Sequence, residues 1–311
     1  MSPHSPRSAR ALTLAPRIRP ATTCSLLATA LATTLAAALT GCGTSPAAPP
    51  AAAPAEPAHS PKAAAPRPPT LAPGPQGLTP VFENGERGKR GERGEKTVAL
   101  TFDADMTADQ GPRAARGERF DNPELIRALQ RLKVPATVFM TGRWAEEYPA
   151  QAKAIDADPL FEVANHSYSH HAFTEDCYGL PTIAPEKMRA DVEKAFTALA
   201  KAGVREAVPY FRFPGGCYDK AALKAIAATG VTAVQWDVVS GDAFATDADA
   251  VTRDVLGGVR PGSVVVMHCT RSAAPATVEA VRKIVPELRE RGYRFVRVSE
   301  LMRESVGGAS R

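Results

Sequence analysis

The chain has 311 residues, room for one large domain or two modest ones. Its formal net charge of +5 comes without a basic stripe interleaved with aromatics, which excludes a nucleic-acid groove. Most of the Pro and much of the Ala lie before Thr97, so the stretch from Thr97 to Val306 is where a substantial core can form.

At the N-terminus, Arg7, Arg10, Arg17 and Arg19 make a positive segment with no acidic residue. Ser25 to Leu39 follows as an apolar Ala/Leu run, long enough for a signal h-region and too short for a membrane span. It ends in Leu39-Thr40-Gly41-Cys42, which resembles the bacterial lipobox, in which the Cys is lipidated. The expectation is a lipoprotein signal over 1–42 and a protein held by a lipid on Cys42 at the outer face of the plasma membrane. Of five Cys, Cys177, Cys217 and Cys269 fall in the globular part. Outside the cytoplasm two of these can pair, with Cys177–Cys217 favoured.

Residues 43–96 read as a linker: Ala and Pro from Gly43 to about Pro80 suit an unpacked or polyproline-II spacer, and Gly85 to Lys96 is Gly-rich with alternating charge. From Thr97 to Val306 short β-rich runs alternate with amphipathic segments. The predicted strands are Val98–Phe102, Ala136–Met140, Phe161–Ala164, Tyr210–Phe213, Ala233–Trp236, Ser263–Met267 and Phe295–Val298. The predicted helices are Pro123–Leu132, Trp144–Ile155, Pro185–Ala202, Lys220–Ala228, Ala248–Leu256 and Val278–Arg291. Alternation of this kind implies an α/β fold with parallel strands, as a barrel or an open doubly wound sheet. No Gly-rich dinucleotide fingerprint follows the first strand.

The unusual residues gather where strands end, the place for active sites in either architecture. The first strand runs into Asp103 and Asp105, the third into His166, His170 and His171, the fourth into Arg212 and Gly215, the fifth toward Asp242, and the sixth into His268. His166 and His170 have helical spacing, so both rings can share one face and one metal ion. Each cluster alone has an ordinary structural reading as a cap, an ion pair or a core-edge histidine. Their coincidence on one rim argues for chemistry.

The order TFDAD, HSYSH, RFPGG, WDVVSGD and VVVMH resembles the polysaccharide deacetylases with a NodB-type domain, carbohydrate esterase family 4, over about Thr97 to Leu301. The resemblance implies a distorted (β/α)7 barrel over 97–306 and metal-dependent removal of acetyl groups from peptidoglycan, chitin-like polymer or xylan. Residue by residue, it implies that Asp103 is the general base, His166 and His170 are metal ligands, and Arg212 orients the base. Gly215 would supply an oxyanion donor, His268 the general acid and Asp242 the carboxylate that tunes it.

The family pattern has adjacent Asp residues, whereas here Ala104 separates Asp103 from Asp105. Along a regular strand the two carboxylates still share a face, which leaves open Asp105 as third ligand or a site of two His and waters. Ala243 and then Phe244 stand where the family often has Trp, so the apolar wall against the acetyl methyl is expected to differ. Zn2+ suits the His/carboxylate set, and Co2+ or Ni2+ fits similar ligands.

A monomer acting on a cell-envelope polysaccharide, most directly peptidoglycan, is the expectation. O-acetyl xylan or a chitooligosaccharide is the neighbouring substrate reading, and a non-catalytic metal- or glycan-binding lipoprotein the rival class. No Gly-x-Ser-x-Gly elbow is present, which argues against a serine esterase.

Overall fold

The computed structural model describes residues 67–87 and 96–308, with backbone only for 307 and 308. The expected signal segment and lipobox with Cys42, and most of the expected linker, lie outside the described residues.

Among the described residues nine strands form one sheet, and every pairing in it is parallel. In chain order they are β1 Val81–Phe82, β2 Lys96–Ala104, β3 Ala136–Met140, β4 Phe161–Asn165, β5 Tyr210–Phe211, β6 Thr232–Val234, β7 Val238–Val239, β8 Ser263–His268 and β9 Tyr293–Phe295. Their spatial order is β1-β6-β5-β4-β3-β2-β8-β7, with β9 added to the start of β2. This is the curled, incompletely closed relative of the (β/α)7 barrel that the family resemblance implies, a choice the alternation alone left open. Central strands β3 and β4 are buried along their whole length. Burial on both faces explains their mostly apolar composition, and the polar exceptions are hydrogen-bonded: Thr137 donates to Glu162 at 2.7 Å and Asn165 to Val192 O at 2.9 Å.

The helices are α1 Gln110–Ala115, α2 Pro123–Leu132, α3 Gly142–Glu147, α4 Pro149–Ala157, α5 Pro185–Lys201, α6 Lys220–Ala225, α7 Ala248–Gly258, α8 Thr277–Glu290 and α9 Val298–Gly308. α2 matches its predicted bounds because its signals are local. Pro123 occupies the first turn, Asn122 Oδ1 caps Leu125 N–H at 3.1 Å, and Lys133 ends it in the left-handed region. The predicted helix Trp144–Ile155 is instead two helices. Tyr148, ahead of Pro149, takes φ −122° and ψ 54°, and the ring of Pro149 starts a new first turn. Phe295–Val298 is likewise shorter as a strand than expected, because Val298 opens α9.

The folded domain begins earlier than Thr97. Val81 and Phe82 pair with Ala233 and Val234 of β6, and Phe82 is buried. Upstream, Tyr210 donates its hydroxyl to Pro69 O at 2.7 Å, and Leu71 N–H donates to Thr232 Oγ1 at 3.0 Å. Downstream, Arg87 pairs with Asp237 at 2.8 Å. A Pro-rich stretch can edge a sheet because an edge strand needs hydrogen bonds on one side only. Residues 69–87 are therefore part of the domain rather than spacer.

Candidate active site

Parallel pairing brings every strand's C-terminal end to one rim. Asp103 of β2 stands in register with His268 of β8 on one side and Phe139 of β3 on the other. The β4–β5 register, Asn165 opposite Phe211, sets His166 and Arg212 just beyond the ends of those strands.

Arg212 is wholly buried, and its guanidinium stacks 4.0 Å from the centroid of the Phe139 ring. Nη1 donates to Asp103 Oδ1 at 2.7 Å, Nε donates to Val234 O at 3.2 Å, and Nη2 donates to Gln235 O. A guanidinium held at this many points fixes the carboxylate it faces. Burial by itself would raise the Asp103 pKa, but the charge of Arg212, with that of His268 and the Arg212 hydrogen bond, outweighs it and holds the group below its ordinary value.

His166 Nδ1 lies 2.9 Å from Arg212 O. A carbonyl only accepts, so Nδ1 carries the proton and Nε2 keeps its lone pair, facing Asp103 Oδ2 at 3.6 Å. His170 Nε2 faces Asp105 Oδ2 at 3.8 Å, while Asp105 Oδ1 accepts from Thr270 Oγ1. Burial lowers the pKa of both imidazoles, that of His170 to about 4, so both rings are neutral near pH 7.

The histidines do not share a helix face, contrary to their spacing. They meet, with ring centroids 5.0 Å apart, across a loop in which Ser167 (φ 67°) and His170 (φ 56°) are left-handed. That loop is pinned by buried Asp191 of α5, whose Oδ2 accepts from Tyr168 N–H at 2.8 Å and Ser169 N–H at 3.3 Å. Ser167 Oγ accepts from His170 N–H at 2.9 Å.

Across the rim, buried Asp242 is the centre of a second network. Its Oδ1 faces His268 Nδ1 at 2.8 Å and accepts from Ser240 Oγ at 2.9 Å. Its Oδ2 accepts from His268 N–H at 2.8 Å and Thr277 Oγ1 at 2.6 Å. Burial favours a neutral His268, but the adjacent Asp242 charge and hydrogen bond overcome it and raise the pKa to about 10. The rim thus carries one imidazole kept charged and two kept neutral, a separation suited to acid and ligand work.

Gly215 sits in a 3₁₀ turn, Pro214–Gly216, at φ 64°. A Cβ there would lie 2.6 Å from Cys177 Sγ, so neither the backbone nor the space admits a side chain. Cys177 and Cys217 form a disulfide that clamps this turn, as expected, and Cys269 is a buried free thiol pushed up to about 12 by burial. Phe244 is 87 % exposed at φ 67°, so it does not replace the apolar wall that a Trp after Asp242 would make. Sequence reasoning missed Asp191, Thr270 and Thr277, and gave Ser240 no role within its motif. These are common polar residues whose importance comes only from the long-range partners they meet.

Among the described residues no three His, Cys, Asp or Glu side chains converge as a ready-made metal cage. The donor chemistry nonetheless fits a divalent ion. Two neutral imidazoles face two carboxylates, and the 3.8 Å between His170 Nε2 and Asp105 Oδ2 is near the about 3.4 Å between ligands of one tetrahedral zinc.

Residues 90–234 match the family described as polysaccharide deacetylase. A peptidoglycan-N-acetylglucosamine deacetylase of Bacillus cereus is 31% identical over 210 residues, covering 67% of this chain and 69% of that protein. A chitooligosaccharide deacetylase of Rhizobium leguminosarum bv. phaseoli is 29% identical over 197 residues, covering 60% of this chain and 81% of its own length. Among solved structures, a mutant of a Bacillus anthracis pseudoenzyme of carbohydrate esterase family 4, with restored enzymatic activity, superposes with a TM-score of 0.58. It is 25% identical, with 75% of this chain and 73% of that one covered. With its parallel half-barrel and this extent of similarity, the chain belongs to the polysaccharide deacetylase family.

Proposed function

We propose that the protein is a metal-dependent peptidoglycan deacetylase, hydrolysing the N-acetyl group of an amino sugar to acetate and a free amine. The observation that carries this reading is the in-register pair at the ends of β2 and β8. Asp103 is held ionised by Arg212, and His268 is held protonated by Asp242. Amide hydrolysis needs that combination, because water must lose a proton and the leaving nitrogen must gain one.

His166, His170 and Asp105 would hold a divalent ion, most simply Zn2+. Such an ion supplies polarisation of the acetyl carbonyl and acidification of a bound water. Asp103 takes the proton of the attacking water, with Arg212 keeping the carboxylate aimed and charged. The N–H of Gly215 lies in the first turn of its 3₁₀ segment, where no intrahelical acceptor exists, and donates to the developing oxyanion. His268 protonates the nitrogen as the C–N bond breaks.

The peptidoglycan assignment rests on the similarity to the Bacillus cereus deacetylase and on the export signals. A chitooligosaccharide is the second reading, supported by the Rhizobium relative. Acetate release from purified peptidoglycan, chitooligosaccharide and acetylxylan, with and without chelator, tests both. Release from peptidoglycan that chelator stops is the expected result, and release from acetylxylan alone would overturn the assignment.

Lipid anchoring through Cys42 belongs to the same proposal. The Cys177–Cys217 disulfide supports an oxidising compartment. No helix among the described residues is long and apolar enough to cross a membrane. Cys42→Ala is expected to abolish lipid labelling in cells, and unchanged membrane retention with normal processing would count against the lipobox.

A further inference from the structure

A groove of about 640 Å³ lies between α3, the histidine loop and the first half of α5. Its wall includes Ser169 and His171, the chain neighbours of His170 on either side. Consecutive Cα atoms are about 3.8 Å apart, so the groove starts one residue from the proposed metal site.

Its charge is mainly positive, three cations against one carboxylate, the buried Asp191. Arg143, Lys187 and Lys194 line it, and none of the three is in an ion pair among the described residues. The acidic neighbours are already committed. Asp191 is buried and accepts two loop N–H groups, Glu193 pairs with Arg189 at 2.7 Å, and Glu146 accepts from the Tyr168 hydroxyl at 3.0 Å. Tyr168 presents its ring to two of the cations, Lys194 Nζ 3.6 Å and Arg143 Cζ 5.1 Å from the centroid. An aromatic face positions cations without neutralising them. Arg143 Nε is moreover buried with no hydrogen-bond partner. The Nη groups of Arg143 have no protein hydrogen-bond partner among the described residues either and are not buried, which leaves them to meet an incoming carboxylate.

We propose that this groove binds a carboxylate carried by the glycan, so that the enzyme selects an anionic, peptide-bearing glycan over a neutral one. The inference rests on the deacetylase reading for its orientation, because the groove then holds the neighbour of the sugar being deacetylated. Peptidoglycan carries carboxylates on its lactyl-peptide branches, whereas chitooligosaccharides carry none.

The test measures binding and acetate release on the full chain with two ligands, a disaccharide-peptide fragment of peptidoglycan and chitotetraose. A third ligand is the same fragment with its carboxylates amidated. The parent should bind the charged fragment tightest, and that preference should shrink between about 20 and about 200 mM salt. Lys187→Ala with Lys194→Ala should weaken the charged fragment about 5-fold and leave chitotetraose and the amidated fragment unchanged. Lys194→Arg alone, which keeps the charge over Tyr168, should show little of that loss. Equal effects on all three ligands, or no effect of either salt or variants, would overturn the proposal. Charge-selective binding without acetate release from any glycan would instead sustain the groove and refute the deacetylase reading.

Discussion

Asp242→Asn isolates the component that makes His268 an acid. The substitution is nearly isosteric, and the amide oxygen can still accept from Thr277 Oγ1 and the His268 backbone N–H, so the rim should stay folded. What disappears is the buried negative charge 2.8 Å from Nδ1 that raises the His268 pKa to about 10. Without it the value falls back toward the ordinary imidazole value of 6.5, because burial disfavours the charged ring and only the Asp105 and Asp103 charges still support it. At about pH 8.5 the protonated fraction then drops from about 97 % to about 1 %, a loss near 100-fold, whereas at about pH 6 the variant keeps most of its acid. The loss falls within the roughly 10²–10⁴-fold that general acid help supplies.

The assay is acetate release against pH from about 5.5 to about 9.5, scored by where the alkaline limb falls. Stability carries the same sign. A pKa raised in the folded state adds stability that is full below 6.5 and is lost as pH climbs through about 10, so the variant should show less alkaline destabilisation than the parent. An alkaline limb that does not move on Asp242→Asn would refute the reasoning.

Other consequences can be read off the same contacts. Arg212→Met strands the Asp103 carboxylate in the interior, and urea unfolding should show a loss of about 3–5 kcal/mol; a loss below about 1 kcal/mol would mean the pair is not holding the rim. Reducing the Cys177–Cys217 bridge, 40 residues apart in sequence, should lower the unfolding free energy by about 4 kcal/mol and loosen the Gly215 turn. Non-reducing peptide mapping of exported protein that finds three free thiols would dismiss the bridge.

What could be read from the sequence was what local chemistry specifies. β3 was legible to the residue because Ala136–Met140 is a short run rich in β-branched and large apolar residues that ends at a helix-capping Thr141, whose Oγ1 accepts from Trp144 N–H. The rim positions of Asp103, His166, Arg212 and His268 followed from strand ends alone, and period-two alternation carried Asp105 to the histidines despite the inserted Ala104. Two-residue strands such as Val81–Phe82 and Val238–Val239 give no periodic signal and exist only through their neighbours. The Tyr148–Pro149 break was visible in Pro149 and was overridden by the apolar period. The helical spacing of His166 and His170 misled about the backbone, since two left-handed residues and the Asp191 anchor bring the rings together instead. Such anchors come from segments distant in sequence, which a local pattern does not encode.

The central claim is that metal holding and proton transfer belong to different residues of one rim. The most direct measurement is bound zinc per chain together with acetate release from peptidoglycan, in the parent and in His170→Ala, Asp105→Ala, Asp103→Asn and His268→Ala. His170→Ala should lose metal and turnover together, and Asp105→Ala should follow it closely, since a site of so few protein ligands tolerates no loss. Asp103→Asn and His268→Ala should keep most of the metal and lose most of the turnover, by roughly 10²-fold or more. Full acetate release after complete metal removal, with Asp103→Asn and His268→Ala as active as the parent, would contradict the account.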